Sequence, residues 1–160
     1  MQIRVGFGFD VHQLTSDRDL WIGGVKIPHL KGALGHSDAD ALLHAICDAI
    51  LGALALGDIG IHFPDTDQSF KNIDSKILLA KTVELIRSKG WEISNIDSTL
   101  CLEKPKISPY ISEMIKAIST VAAINSDQIS IKATTSEKMG YVGREEGVAA
   151  YAVVLLTKSE

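Results

Sequence analysis

Cysteine is scarce in this chain: Cys47 and Cys101 are the only two in 160 residues, and each sits in an apolar run. That excludes a disulfide-stapled scaffold and reads as buried thiols in a reducing compartment. Prolines number four beside thirteen glycines, which argues against both disorder and a repeat array. Neither sign of charge dominates, because 16 basic against 20 acidic residues leave a formal −4. No general attraction to nucleic acid follows, and any anionic ligand has to be held by local groups. Long apolar runs are missing too; Val148–Leu156 is too short to span a bilayer. Met1–Val5 goes straight into strand-like alternation, without the look of a signal or transit peptide. The expectation is a cytoplasmic protein with no membrane or nucleic-acid partner. At 46% hydrophobic and 22% charged, residues 1–160 suit one domain with a real core.

What is present begins with an alternating strand over residues 2–12. Ile3, Val5, Phe7, Phe9 and Val11 face one way, and Gly6, Gly8, Asp10 and His12 the other. Spacing of i, i+2 puts Asp10 and His12 on one face, about 6–7 Å apart along the strand, within reach of one ion. A solvated strand face explains the pair as well. Gly6 and Gly8 leave that face bare for a close approach. Leu20–Ile22 and Val25–Ile27 flank Gly23-Gly24, a hairpin with glycines where positive φ is needed.

A first helix is predicted from Ser37 or Asp38, either of which can cap it. Its buried stripe is Leu43, Ile46, Cys47, Ile50, Leu51 and Leu54, while Asp40, His44 and Asp48 stack at i, i+4, i+8. That stack suits a metal-binding histidine oriented by a neighbouring acid, or an exposed stripe of weak surface pairs. His36, just before the cap, favours the metal. Gly57-Asp58-Ile59-Gly60 marks a tight passage with Asp58 tolerant of left-handed geometry, and His62–Asp67 is a polar loop. Asp74 or Ser75 caps a second helix ending at Gly90, to which no chemistry is assigned. Trp91–Leu102 is a strand with a slip near Ser94-Asn95, and Ser108-Pro109 opens a third helix. Gln128–Ala133 is a strand running into Thr134 and Glu137, which match a capping box at a hydroxyl-rich, phosphate-cradling helix start. Val148–Leu156 is continuously apolar, as a strand covered on both faces would be.

The order predicts an α+β fold, a mixed sheet with helices packed on one side. Asp10, His12 and His44 form an O/N/N set that suits zinc with an open fourth position. The basic loop Glu103–Lys106 and the hydroxyls of Thr134-Thr135-Ser136 point to phosphate in the substrate. From the residues alone the reading is a zinc enzyme acting on phosphorylated small molecules.

Six ordered motifs then carry a resemblance: Gly8-Phe9-Asp10-Val11-His12, Gly23–Pro28, His36-Ser37-Asp38, Gly57–Gly60, Phe63–Asp67 and Lys132-Ala133-Thr134-Thr135. They span nearly the whole chain, which resembles the 2-C-methyl-D-erythritol 2,4-cyclodiphosphate synthase family. The resemblance implies a cyclic homotrimer with active sites between subunits. It also implies cyclisation of a cytidine-diphospho-methylerythritol 2-phosphate with release of CMP, in non-mevalonate isoprenoid synthesis. Carried over by position, Asp10, His12 and His44 bind Zn²⁺, and Glu137 helps to hold a second ion, Mg²⁺ or Mn²⁺. His36 and Thr135 orient the phosphates and steady the transition state. Ser37, Asp58, Gly60, Phe63 and Asp65 line the methylerythritol side, and Ile59, Pro64, Thr66 and Asp67 also bind substrate. Leu102, Glu103, Lys104, Pro105, Lys106, Ile107 and Ser108, with Ala133 and Thr134, hold the cytidine end; Tyr141 and Arg144 lie near the phosphates, and Ser136 also binds substrate. Glu145 departs from the family pattern, which has a small residue there. A zinc-dependent phosphohydrolase, with Asp58 or Asp65 activating water, and a non-catalytic trimeric scaffold are the alternatives.

Overall fold

The structure, a computed structural model describing residues 1–159, is built on one five-stranded sheet with a separate hairpin beside it. The strands are β1 (Gln2–Thr15), β4 (Gly32–Leu34), β5 (Glu92–Cys101), β6 (Ile129–Thr134) and β7 (Gly147–Lys158), in spatial order β4-β1-β7-β5-β6. β5 and β6 run parallel and the other neighbours antiparallel, so the sheet is mixed. The expected slip in β5 is a register shift between Ile93 and Asn95. β2 (Leu20–Ile22) and β3 (Val25–Ile27) form the expected hairpin, with Gly23 and Gly24 at φ +60° and +76°. β4 had no counterpart in the sequence reading, because three residues are too few to show a period.

All long helices lie on one side of the sheet. α1 (Ala41–Ala53) crosses β1 and β7, α3 (Ser75–Ser88) packs on α1, and α4 (Ile111–Ala122) packs on α3 and β6. Single helical turns α2 (Ile59–His62) and α5 (Gly140–Gly143) close the loops. Leu42, Leu43, Ile46, Ile50, Leu79, Ile86, Ile96 and Leu100 are fully buried between the layers. No helix among the described residues is long and apolar enough to cross a membrane.

The packing decides which face of β1 lies inside. A Cβ on Gly6 would stand 1.8 Å from the Ala49 carbonyl oxygen, and one on Gly8 1.9 Å from that of Ala45. The two glycines let the α1 backbone touch the strand, so it is the Gly6/Gly8/Asp10/His12 face that meets the helix. The apolar face is turned outward: Ile3, Val5 and Phe7 are each more than 60% exposed, at 61%, 65% and 63%. β7 follows. Val154 and Leu156 are buried under α1, whereas Tyr151 and Val153 point to the open side, so this apolar strand is covered on both faces only up to Ala150 and has an open face at Tyr151 and Val153. Phe9 and Tyr151 meet there with ring centres 5.0 Å apart.

Three local expectations also change. Asp40, not Ser37 or Asp38, caps α1, because the chain kinks at Ala39 (φ +58°) and the earlier side chains are engaged elsewhere. Asp58 is extended (φ −128°) and caps α2; the left-handed residue is Gly57 at φ +85°. No helix starts at Thr134, because Glu137 and Lys138 both adopt positive φ and α5 begins only at Gly140. The capping box and its helix-end phosphate cradle are therefore not formed; the Glu137 N–H reaches Thr135 Oγ1 instead, at 3.3 Å.

Candidate metal and substrate site

β1 and α1 bring three donors to one point. Asp10 Oδ2 lies 2.9 Å from His12 Nε2 and 3.1 Å from His44 Nδ1, and the two ring nitrogens are 3.2 Å apart. Asp10 and His12 come from the strand face that Gly6 and Gly8 press on α1, and His44 from the first turn of that helix.

The proton positions follow from the outer partners. His12 Nδ1 donates to the Leu34 carbonyl at 2.9 Å, since a carbonyl only accepts. Its Nε2 is then left with a lone pair aimed at Asp10 and His44. Lone pairs and a carboxylate oxygen converging at about 3 Å call for a cation between them. Bond lengths of about 2.0–2.2 Å put the ligands of a tetrahedral ion about 3.3–3.6 Å apart, so a small outward spread of the three donors separates this cluster from a liganded one. The residues fit a divalent metal ion, with three donors in the set. Without metal a proton takes that place. Burial lowers the His12 pKa, but the hydrogen bond and charge of Asp10, with the Leu34 carbonyl, outweigh it and raise it overall. Burial alone would raise Asp10, yet the hydrogen bonds and charges of both histidines hold its carboxyl at about 2.

The triad borders a cavity of about 310 Å³ lined by His12, His36, Ser37, His44, Ile59, Gly60, Phe63, Asp65, Phe70 and Leu78. Most residues expected on the methylerythritol side are therefore gathered here. Asp58 and Asp67 act on the backbone instead, capping α2 and the turn Gln68–Phe70, and the Asp67 carbonyl accepts from His36 Nε2 at 3.3 Å. Asp48, expected to orient His44, accepts from the Ile59 N–H at 2.8 Å and so fixes the cavity wall. Burial raises the pKa of Asp48; the Ile59 N–H opposes this, and the charges of Asp58 and Asp10 add to it.

A second cavity, of about 180 Å³, is lined by Leu102, Glu103, Pro105, Lys106, Ile107, Ser108, Ala133, Thr134 and Thr135. All the residues expected at the cytidine end but one line this cavity, with Thr135 beside them. Lys104 is the exception: its Nζ turns to Glu145 Oε1 at 3.0 Å. Tyr141 lies in a separate groove with Val11, His12 and Gln13, and Arg144 pairs with Glu146 at 2.9 and 3.0 Å. Ser136 Oγ donates to the Met139 carbonyl. Glu137 is exposed and stands outside both cavities and the donor cluster. Sequence reasoning gave Ser75 and Asp38 no part beyond helix caps; Ser75 meets His44 from 31 residues away and Asp38 from 37, a distance that leaves no local signal.

The family model described as YgbB family matches residues 3–157. A 2-C-methyl-D-erythritol 2,4-cyclodiphosphate synthase of Bacteroides thetaiotaomicron is 60% identical over 158 residues, covering 99% of this chain and 99% of that protein. One from Syntrophobacter fumaroxidans is 60% identical over 154 residues, 96% of this chain and 97% of its own length. Among solved structures, a 2C-methyl-D-erythritol-2,4-cyclodiphosphate synthase in a CDP-bound form superposes with a TM-score of 0.89 at 37% identity, over 96% of this chain and 100% of that one. The bifunctional IspDF of Campylobacter jejuni gives 0.95 at 41% identity over 99% of this chain, which spans 43% of the bifunctional one.

Proposed function

The chain belongs to the YgbB family, and from that membership we propose the reaction its two cavities serve. The enzyme cyclises 4-diphosphocytidyl-2-C-methyl-D-erythritol 2-phosphate to 2-C-methyl-D-erythritol 2,4-cyclodiphosphate and releases CMP, a step of non-mevalonate isoprenoid synthesis. It is a phosphorus–oxygen lyase. An oxygen of the substrate's 2-phosphate bonds to the β-phosphorus, and the bond from that phosphorus to the oxygen bridging to CMP breaks. No protein nucleophile is needed, and proximity carries much of the barrier. The observation that carries this reading is the Asp10–His12–His44 donor cluster opening on a substrate-sized cavity.

Asp10, His12 and His44 would hold zinc, and Glu137 would help to hold a second ion, Mg²⁺ or Mn²⁺; bound there, the two ions would supply positive charge to offset that of the phosphates. His36 and Thr135 donate hydrogen bonds to the phosphates. Ser37 and the segments Asp58–Gly60 and Phe63–Asp67 hold the methylerythritol, and Leu102–Ser108 with Ala133 and Thr134 hold the cytidine. Ser136, Tyr141 and Arg144 sit toward the phosphates. The reading includes a cytoplasmic location, supported by the free thiols Cys47 and Cys101.

Intramolecular attack has an isotopic consequence. Turnover in ¹⁸O-water leaves CMP and the cyclic diphosphate unlabelled by mass spectrometry and phosphorus NMR. Label in either product would favour a zinc phosphohydrolase, in which Asp58 or Asp65 activates water.

The assembly we propose is a cyclic homotrimer, each site joining one subunit's metal cavity to its neighbour's cytidine cavity. Two features support it. The outward face of β1 and β7 sets Ile3, Val5, Phe7, Phe9, Tyr151 and Val153 in a contiguous apolar patch that needs covering. Within one chain, register aligns Asp10 with Ala150, Leu100 and Ala133, so the two cavities lie three strand spacings, about 14 Å, apart across the sheet. Co-expression of Asp10→Ala chains with Lys106→Glu/Thr135→Ala chains, each inactive alone, then restores ~25% of wild-type activity, since each interface draws its halves independently. Demonstrably mixed trimers without activity would place each whole site inside one subunit.

A further inference from the structure

The face of His44 turned away from the donor cluster meets a buried chain of hydrogen bonds. Its Nε2 lies 2.9 Å from Ser75 Oγ and 3.1 Å from Ser37 Oγ. Ser75 is fully buried at the start of α3, 31 residues further along the chain, and its hydroxyl donates to Asp38 Oδ1. Asp38 accepts twice more, from the Ser75 N–H at 2.9 Å and the Asp40 N–H at 3.1 Å. All three of its partners are donors, so Asp38 acts purely as an acceptor.

That polarity runs one way. Because the Ser75 hydroxyl gives its proton to Asp38, Ser75 Oγ can only accept from His44. Nε2 therefore carries the ring proton, and Nδ1, 3.1 Å from Asp10 Oδ2, is left with the lone pair. Ser37 Oγ reinforces the arrangement: it already accepts the Ala39 N–H at 3.1 Å and offers Nε2–H a second acceptor. We infer that Asp38 and Ser75 are positioning residues of the metal site, a serine-bridged carboxylate relay that fixes the tautomer and ring orientation of His44. The relay takes the place of the direct acid that Asp40 or Asp48 was expected to supply, since their carboxylates serve backbone N–H groups of Gly23, Gly24, Leu43 and Ile59. It also gives α3, which packs on α1, a part in the site.

The inference rests on the proposed zinc site, and its test separates the two. Zinc affinity is measured by competition with a chromophoric chelator for wild type, Ser75→Ala and Asp38→Ala, with circular dichroism and thermal melts as the check on folding. The wild type binds zinc; Ser75→Ala, which retains the Ser37 acceptor, loses about 10-fold, and the double variant Ser37→Ala/Ser75→Ala approaches 100-fold, as for other groups behind a metal ligand. Asp38→Ala removes the acceptor that fixes the Ser75 proton, so the hydroxyl is free to donate to His44 Nε2 while Asp10 Oδ2 draws a proton to Nδ1. In the metal-free protein at alkaline pH, the two-bond ¹H–¹⁵N spectrum of His44 then moves from the Nε2–H toward the Nδ1–H tautomer. A loss of packing alone leaves that tautomer where it was. A wild type that takes up no zinc overturns the metal reading and the relay with it. Wild-type zinc affinity in folded Ser75→Ala and the double variant, or an unshifted His44 tautomer in folded Asp38→Ala, overturns the relay alone.

Discussion

His44→Ala yields a folded protein that holds little zinc and has lost nearly all turnover. The ring is one of three donors within about 3 Å of each other, and Asp10 and His12 alone leave a two-ligand site open to water. The loss in metal affinity exceeds the about 10–100-fold that follows from disturbing a group behind a ligand, and activity falls at least as far. The fold survives because the imidazole is one polar side chain in a helix whose other buried residues are aliphatic apart from Cys47. Metal content by atomic emission and kcat by phosphorus NMR read the result. Full zinc occupancy with wild-type rate in the variant would remove His44 from the metal site.

Asp40→Ala acts on stability rather than on chemistry. The carboxylate is wholly buried and accepts from Gly23 N at 2.9 Å, Gly24 N at 2.7 Å and Leu43 N at 3.0 Å, so one side chain closes the β2–β3 hairpin turn and caps α1. Burial raises its pKa, the charge of Asp38 adds to that, and the three N–H groups oppose it. Alanine leaves all three donors without the acceptor. At about 1–3 kcal/mol for each buried donor left unpaired, even the low end removes about 3 kcal/mol. Against a typical total of about 5–15 kcal/mol, that is a large share. Urea unfolding of the metal-free protein should show the midpoint fall with an unchanged slope. A loss below about 1 kcal/mol would mean that water takes over these bonds and that Asp40 is not the tie between hairpin and helix.

Features written in a few neighbouring residues were legible in the sequence. The alternation over residues 2–12 placed Asp10 and His12 on one face, Gly23-Gly24 specified a hairpin turn by its backbone requirement, and the apolar stripe of α1 put His44 on a helix. Even the slip in β5 was visible as a break in period. The capping box at Thr134 was also a local pattern, and it failed because two consecutive left-handed residues, Glu137 and Lys138, turn the chain away before a helix can start. Neither residue type announces that conformation.

The sequence by itself determined the longer elements, their order, and the chemistry that Asp10, His12 and His44 can perform, because backbone propensity and donor chemistry belong to residues one at a time or to short periods. Tertiary structure alone decided which face of β1 is inside. Period two says only that the faces differ; the choice came from Gly6 and Gly8 admitting the α1 backbone to a contact that any side chain would block. It alone also joined Ser75 to His44 across 31 residues and gave Asp40 to the hairpin, since a hydrogen bond depends on where two atoms lie in space and leaves no period in the chain.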